Sequence, residues 1–245
     1  MNDNWPVVEH TVGMLIPATN TAVEVEVNRV LPRTFQVHIG RLRVGSVDAR
    51  GFAEQDADVD YQAQLLGTIA PAIIVFLQTS ASLFIDGYDA DVTSRISNLS
   101  GVPSTTTALA MLEALDALDA TRVALVSPYS PEVSASARDY LERGGFDVTA
   151  VEGLNVTDPN TITGLKGEHI ASSLVRAAQT DADVLIVAGG AFHGMPLIHA
   201  WEQRFQRPVI TTNQLAIWAC MRAIPTAEPV TGFGQLLHIP QWHPE

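Results

Sequence analysis

Four polar loops hold the residues that could do chemistry in this chain of 245 residues. They are Pro17-Ala-Thr-Asn-Thr21, Gln78-Thr-Ser80, Pro128-Tyr-Ser130 and Gly189-Gly-Ala-Phe-His193, and each follows a short apolar run. Where such a loop opens a helix, free backbone N–H groups and the helix dipole favour a carboxylate or phosphate. The Asn20 carboxamide and the hydroxyls of Thr79, Ser80 and Tyr129 add directed donors. Singly, Asn20, Thr79, Ser80 and Ser130 read equally well as helix caps, which use the same residue types. Together the loops predict one anion pocket, with Pro17, Gly189 and Gly190 as further lining residues.

Candidates for catalysis are fewer. His193 lies four residues past Gly189 in a glycine-flanked loop, and an imidazole can give or accept a proton near neutrality. The alternative is a loop histidine packed beside Phe192. Tyr129 can donate to a developing oxyanion. Gln78 can orient a water or bind a carbonyl. No Walker loop, dinucleotide glycine fingerprint, CxxC, HExxH or GxSxG occurs. No histidine pair has a spacing typical of a metal site. Neither a metal nor an organic cofactor is expected.

The elements that must position these loops are written twice. Val12-Gly-Met-Leu-Ile-Pro17 and Val123-Ala-Leu-Val-Ser-Pro128 lie 111 positions apart, and the same step carries Gln78 to Gly189. A third pair is Val102-Pro-Ser-Thr-Thr-Thr107 with Arg207-Pro-Val-Ile-Thr-Thr212. Strands are expected at 11–16, 36–42, 73–78, 102–104, 122–127, 146–151, 184–188 and 208–211. Helices are expected at 20–31, 52–69, 88–99, 106–117, 131–143, 168–179, 195–204 and 213–223. This alternation indicates an α/β fold of two pseudo-twofold-related lobes, each a mostly parallel sheet flanked by helices. The expected halves are 1–120 and 121–245, with part of the C-terminal segment packing on the first. The active site belongs between them, at the carboxyl ends of the strands, with Gln78 facing Gly189. The tail from Thr226, with Trp242 and Gln235-Leu-Leu-His-Ile239, is expected to dock on something, a second subunit being one choice.

Composition narrows the partners. With 27 acidic and 14 basic residues the net charge is −13, which disfavours nucleic acid and anionic membranes. The single cysteine, Cys220, excludes an internal disulfide, and its apolar helical surroundings predict a buried thiol. No basic region followed by an apolar stretch opens the chain, and no apolar run reaches the ~18 residues of a membrane span. The expectation is a cytoplasmic homo-oligomer that binds a small anion, a carboxylate or a phosphate.

Residues 11–223 resemble the aspartate/glutamate racemase superfamily, in its maleate isomerase and arylmalonate decarboxylase branch. The stretches that carry the resemblance are Gly13-Met-Leu-Ile-Pro-Ala-Thr-Asn-Thr21, Gly101-Val-Pro-Ser-Thr-Thr-Thr-Ala108, Arg122-Val-Ala-Leu-Val-Ser-Pro-Tyr129 and Pro208-Val-Ile-Thr-Thr-Asn213. The resemblance implies a cofactor-free enzyme that holds a small carboxylate with Asn20, Thr79, Ser80 and Tyr129. The stretch Gly153-Leu-Asn-Val-Thr-Asp158 corresponds to one that ends in a substrate-contacting asparagine in the family, which makes Asp158 and Asn160 candidate substrate contacts, with Pro159 shifting the register. The resemblance also implies a departure. Racemases and maleate isomerases of this family use two facing cysteines and the decarboxylases keep the second, whereas the corresponding positions here are Gln78 and Gly189. The expected chemistry is cysteine-independent decarboxylation, isomerisation or another lyase reaction through an oxyanion or enolate. Hydrolysis of a small amide or lactam-like ring, and carboxylate sensing without turnover, are the alternatives. At Gly189, a leucine is expected to block binding with little loss of stability.

Overall fold

The computed structural model describes residues 7–46, 48–156, 158–225 and 228–239. The first half runs β1 (His10–Pro17), α1 (Val23–Val30), β2 (Phe35–Leu42), α2 (Ala49–Gly67), β3 (Ile74–Phe76), α3 (Thr79–Phe84), α4 (Tyr88–Ser100), β4 (Ser104–Thr106) and α5 (Thr107–Ala117). The second runs β5 (Arg122–Ser127), α6 (Pro131–Arg143), β6 (Asp147–Gly153), α7 (Pro159–Thr163), α8 (Gly167–Ala177), β7 (Val184–Val187), α9 (Ile198–Phe205), β8 (Val209–Thr211) and α10 (Thr212–Arg222). Each half forms a parallel four-stranded sheet, in the orders β2-β1-β3-β4 and β6-β5-β7-β8. A parallel sheet covered on both faces needs unbroken apolar strands, and β3 and β7 are buried along their whole lengths.

The repeat is visible in the hydrogen bonds. Leu77 N donates to Leu15 O at 2.8 Å, and 111 positions on Ala188 N donates to Val126 O at 2.9 Å. Ile74 N donates to Pro103 O and Leu185 N to Pro208 O, at 2.9 and 3.0 Å. Each lobe then enters a helix through a threonine cap: Thr106 accepts from Leu109 N and Thr211 from Gln214 N. The strand expected at 102–104 lies at Ser104–Thr106 instead. Val102 supplied the apolar signal, but the residues that pair with β3 are the polar ones beyond Pro103.

Helices lock the two sheets together. α10 packs on α5 and α1, and α3 packs on α6. The Asp89 carboxylate accepts from Thr106 Oγ1 at 2.6 Å and from Tyr140 Oη at 2.7 Å, which ties α4 to α6. Arg222 of α10 pairs with Glu113 of α5. Cys220 is fully buried in α10, and burial pushes its thiol up to about 12, so almost no thiolate forms at neutral pH.

Residues 228–239 dock on their own chain. Leu236 and Leu237 are buried. Gln214 Nε2 donates to Phe233 O at 2.7 Å, Gln235 N to Glu202 Oε1 at 3.0 Å and Trp218 Nε1 to Ile239 O at 2.8 Å. Trp242 and His243 lie outside the described residues. Among those described, no helix is long and apolar enough to cross a membrane.

Candidate active site

The loops that follow β1, β3, β5 and β7 meet in a cavity of about 40 Å³, room for a few water-sized groups at roughly 10–15 Å³ each. Pro17, Thr19 and Asn20 line it from the first loop, and Gln78, Thr79 and Ser80 from the second. Tyr129 comes from the third, and Gly189, Gly190 and Ala191 from the fourth. Val44, Leu77 and Ile162 make an apolar side, and Thr212 completes the wall. None of these side chains titrates near neutral pH. Among the described residues, no three His, Cys, Asp or Glu side chains gather as metal ligands.

The donors are held from behind. Thr79 Oγ1 and Thr107 Oγ1 share a hydrogen bond of 2.7 Å, and Gly189 N donates to Thr212 Oγ1 at 3.2 Å. Thr107 and Thr212 each follow a cap threonine, so both lobes brace a site loop with the same element. Tyr129 is 5 % exposed. Burial pushes its phenol up to about 12, partly offset by a hydrogen bond with Ser80. At neutral pH it is therefore a neutral donor.

The cap readings divide. Ser130 is a cap, accepting from Val133 N. Thr79 and Ser80 are not, because Gln78 holds the cap position of α3. Asn20 does both jobs: its Oδ1 accepts from Ala22 N and Val23 N at 3.0 and 3.1 Å, while its buried Nδ2 has no protein partner. A buried amide donor without a partner is costly unless something in the cavity accepts from it.

Two candidates fall outside the cavity. His193 is exposed, because its neighbour Phe192 is buried and stacks on Trp201 with ring centroids 6.3 Å apart. That contact turns the next side chain outward. Asn160 is also exposed, with its N–H bonded to the capping Asp158 carboxylate at 3.0 Å. The residue that α7 sends into the cavity is Ile162, and Thr163 Oγ1 fastens α7 to Thr19 O at 3.2 Å. Ile162 escaped the sequence reading because Pro159 and a five-residue helix carry too little periodicity.

Gly189 is not a vacated side-chain position. Its φ is +109°, and a Cβ there would lie 2.9 Å from Pro128 Cγ. Ala188, just before it, is the nearest residue with a side chain. The expectation that leucine is tolerated is therefore corrected. Gly189→Ala should already cost about 1–3 kcal/mol through backbone strain, and Gly189→Leu more, read by urea denaturation. Equal stability of Gly189→Ala and wild type would contradict this.

A carboxylate lies behind the cavity. Glu26 is 3 % exposed on α1, and its oxygens accept from Asn213 Nδ2 at 2.6 Å and Met195 N at 3.1 Å. Burial pushes its pKa up to about 7 against those hydrogen bonds. A carboxyl whose pKa is higher folded than unfolded holds more protons in the folded state. It favours the fold most below about pH 4.5, and that advantage is lost as pH rises through about 7. Glu26→Gln removes the titration. The stability of Glu26→Gln relative to wild type should therefore rise by about 2–3 kcal/mol between pH 4.5 and 7.5 and level off above. A difference that stays constant with pH would refute it.

Comparison with known proteins agrees with this architecture. The family model described as arylmalonate decarboxylase matches residues 12–237. A maleate isomerase of Nocardia farcinica is 26% identical over 237 residues, covering 92% of this chain and 94% of that protein. An arylmalonate decarboxylase of Bordetella bronchiseptica is 26% identical over 230 residues, covering 92% and 95%. Among solved structures, a cysteine-to-serine mutant of Nocardia farcinica maleate cis-trans isomerase, with a covalently bound succinylcysteine intermediate, matches at a TM-score of 0.88. Its identity is 26%, over 94% of this chain and 98% of that one.

Proposed function

The chain belongs to the arylmalonate decarboxylase family, and from that premise we propose that it decarboxylates a small malonate-type acid without cysteine, metal or organic cofactor. Its relatives are isomerases and a decarboxylase, which makes it an enzyme of that isomerase and lyase group. One observation carries the choice within the group. The cavity offers several neutral donors, among them Asn20 Nδ2 and the hydroxyls of Thr79, Ser80 and Tyr129, and among the described residues no lining group able to act as a base near neutrality.

Racemisation must remove a proton from carbon, and hydrolysis must activate a water, so both need a base. Isomerisation through an adduct needs a nucleophile. The only thiol of the chain, Cys220, is buried in α10 and is not among the cavity-lining residues. Decarboxylation needs neither. The C–C bond breaks, CO₂ leaves, and the electron pair stays on the α-carbon as an enolate of the remaining carboxyl. The site has only to hold that charge. Thr79, Ser80 and Tyr129 donate to the carboxyl that becomes the enediolate, where preorganised donors gain strength as charge develops. The departing carboxylate lies against Val44, Leu77 and Ile162. Water then protonates the α-carbon, with Gln78 orienting it.

The test is incubation with a panel of 2-substituted malonates and with maleate, followed by NMR. Loss of a malonate with CO₂ release supports the proposal. Interconversion of maleate and fumarate without CO₂ would make the protein an isomerase, and ligands that bind unchanged would make it a sensor. His193→Ala should keep turnover within about threefold of wild type, because the imidazole stands outside the cavity. A loss nearer the ~10²-fold typical of a general acid or base would return His193 to the mechanism.

A further inference from the structure

Behind Asn20 of the first site loop, Glu26 on α1 and Asn213 at the start of α10 continue a buried polar path, and the decarboxylation scheme gives neither of these two a role. Because Asn213 Nδ2 donates to Glu26 Oε2 at 2.6 Å, the opposite atom of the amide, Oδ1, points away from Glu26, and it is buried without a protein partner. Asn20 Nδ2 is buried and unpartnered as well. Both orphans converge on Gly190: a Cβ built there would lie 3.1 Å from each of them. Gly190 lines the cavity. Only a glycine lets these two groups come so close to the ligand loop.

We propose that Glu26 is a positioning residue whose protonation decides which end of the Asn213 carboxamide faces Gly190, and so whether the wall behind the carboxylate site accepts or donates hydrogen bonds. An ionised carboxylate can only accept. Met195 N supplies one oxygen and Asn213 must supply its NH₂ to the other, which leaves Oδ1 towards Gly190. A protonated Glu26 keeps Met195 N on its carbonyl oxygen and turns its O–H to Asn213. The amide then gains by rotating through half a turn, giving Oδ1 to that O–H and its NH₂ to the Gly190 side. Two amide donors then flank the loop, in place of one donor and one acceptor.

Among the described residues no charged partner compensates Glu26. The groups facing it are the Asn213 side chain from α10 and the backbone N–H groups of Gly194 and Met195. On its own helix Glu24 is paired with Arg41, and Arg29 is exposed. Arg222 of α10 is paired with Glu113, and Glu202 of α9 accepts from Val209 N and Gln235 N. The rise of the Glu26 pKa to about 7 places the change in the neutral range.

The inference deepens the proposed function, since it concerns the wall of the same carboxylate site, but its first readout needs no ligand. The full chain is labelled with ¹⁵N-asparagine and its side-chain amides are followed from pH 5.5 to 8.5, Asn213 being assigned by its loss in Asn213→Ser. The Asn213 amide signal should move with a midpoint near pH 7 in wild type. In Glu26→Gln, which always has one donor and one acceptor, it should hold the low-pH position throughout. A pH-invariant Asn213 signal in wild type, or a titration that survives in Glu26→Gln, overturns the proposal. Malonate is the second probe. Its affinity by calorimetry should fall about tenfold from pH 6.5 to 8.5 in wild type, as expected for losing one hydrogen bond to a charged group, and should stay flat in Glu26→Gln. Titration of Asn213 without malonate binding at any pH supports the switch and counts against the decarboxylase reading. Malonate binding that is equal at both pH values, with Asn213 silent, overturns the switch and leaves that reading standing.

Discussion

Tyr129→Phe should lower turnover about 10²–10³-fold, the cost of removing one donor from an oxyanion site, while the binding constant of an unreactive malonate should change much less. The reasoning is differential. A carboxylate in the ground state spreads its charge over two oxygens that several donors share. The enediolate formed as CO₂ leaves concentrates more charge on those oxygens, so a lost donor weighs most in the transition state. Phenylalanine keeps the buried ring, so the fold should be little affected. The pKa of about 12 makes Tyr129 a donor at all working pH values, so the variant should change rate without changing the shape of the pH profile between 6 and 9. Steady-state kinetics with thermal denaturation as the control reads both. A Tyr129→Phe protein with unchanged turnover would remove the oxyanion from this face of the cavity.

Ser80→Ala is expected to cost a similar amount, about 10²-fold, and its combination with Tyr129→Phe should cost less than the product of the two. Ser80 is 2 % exposed, lines the cavity and bonds to the Tyr129 phenol. The two hydroxyls are therefore expected to serve the same developing charge, so that removing one already takes away part of what the other contributes. Residues that share a hydrogen bond behave this way in double-mutant cycles. Fully multiplicative losses would mean that the two hydroxyls act at separate places on the substrate.

The sheets were legible in the sequence because buried parallel strands must be apolar throughout, and runs such as Ile73-Ile-Val-Phe-Leu77 and Val184-Leu-Ile-Val-Ala188 are hard to read otherwise. The duplication was legible for the same reason. Short elements were not. Thr79-Ser-Ala-Ser82 reads as a small-residue loop, yet it opens α3, which packing on α6 holds rather than its own propensity. The cavity residues with hydroxyls and amides were found from their type. Ile162 and Thr212 were not, since an isoleucine in a five-residue helix and a threonine at a helix start announce no role. His193 was chosen for its chemistry, and its direction was decided by a different residue, Phe192, whose burial against Trp201 no local pattern reveals. Gly189 was read as an empty side-chain position, whereas its positive φ is a property of the backbone path.

The most direct measurement uses an α,α-disubstituted malonate, ¹³C-labelled in both carboxyls, with the Cys220→Ala protein. This substrate has no α-hydrogen, so no base can enolise it, and the chain then has no thiol. The account predicts ¹³CO₂ release at close to the wild-type rate, falling about 10²–10³-fold when Tyr129→Phe is added. A folded Cys220→Ala protein that releases no ¹³CO₂ where wild type does, or release that is indifferent to Tyr129, would contradict it.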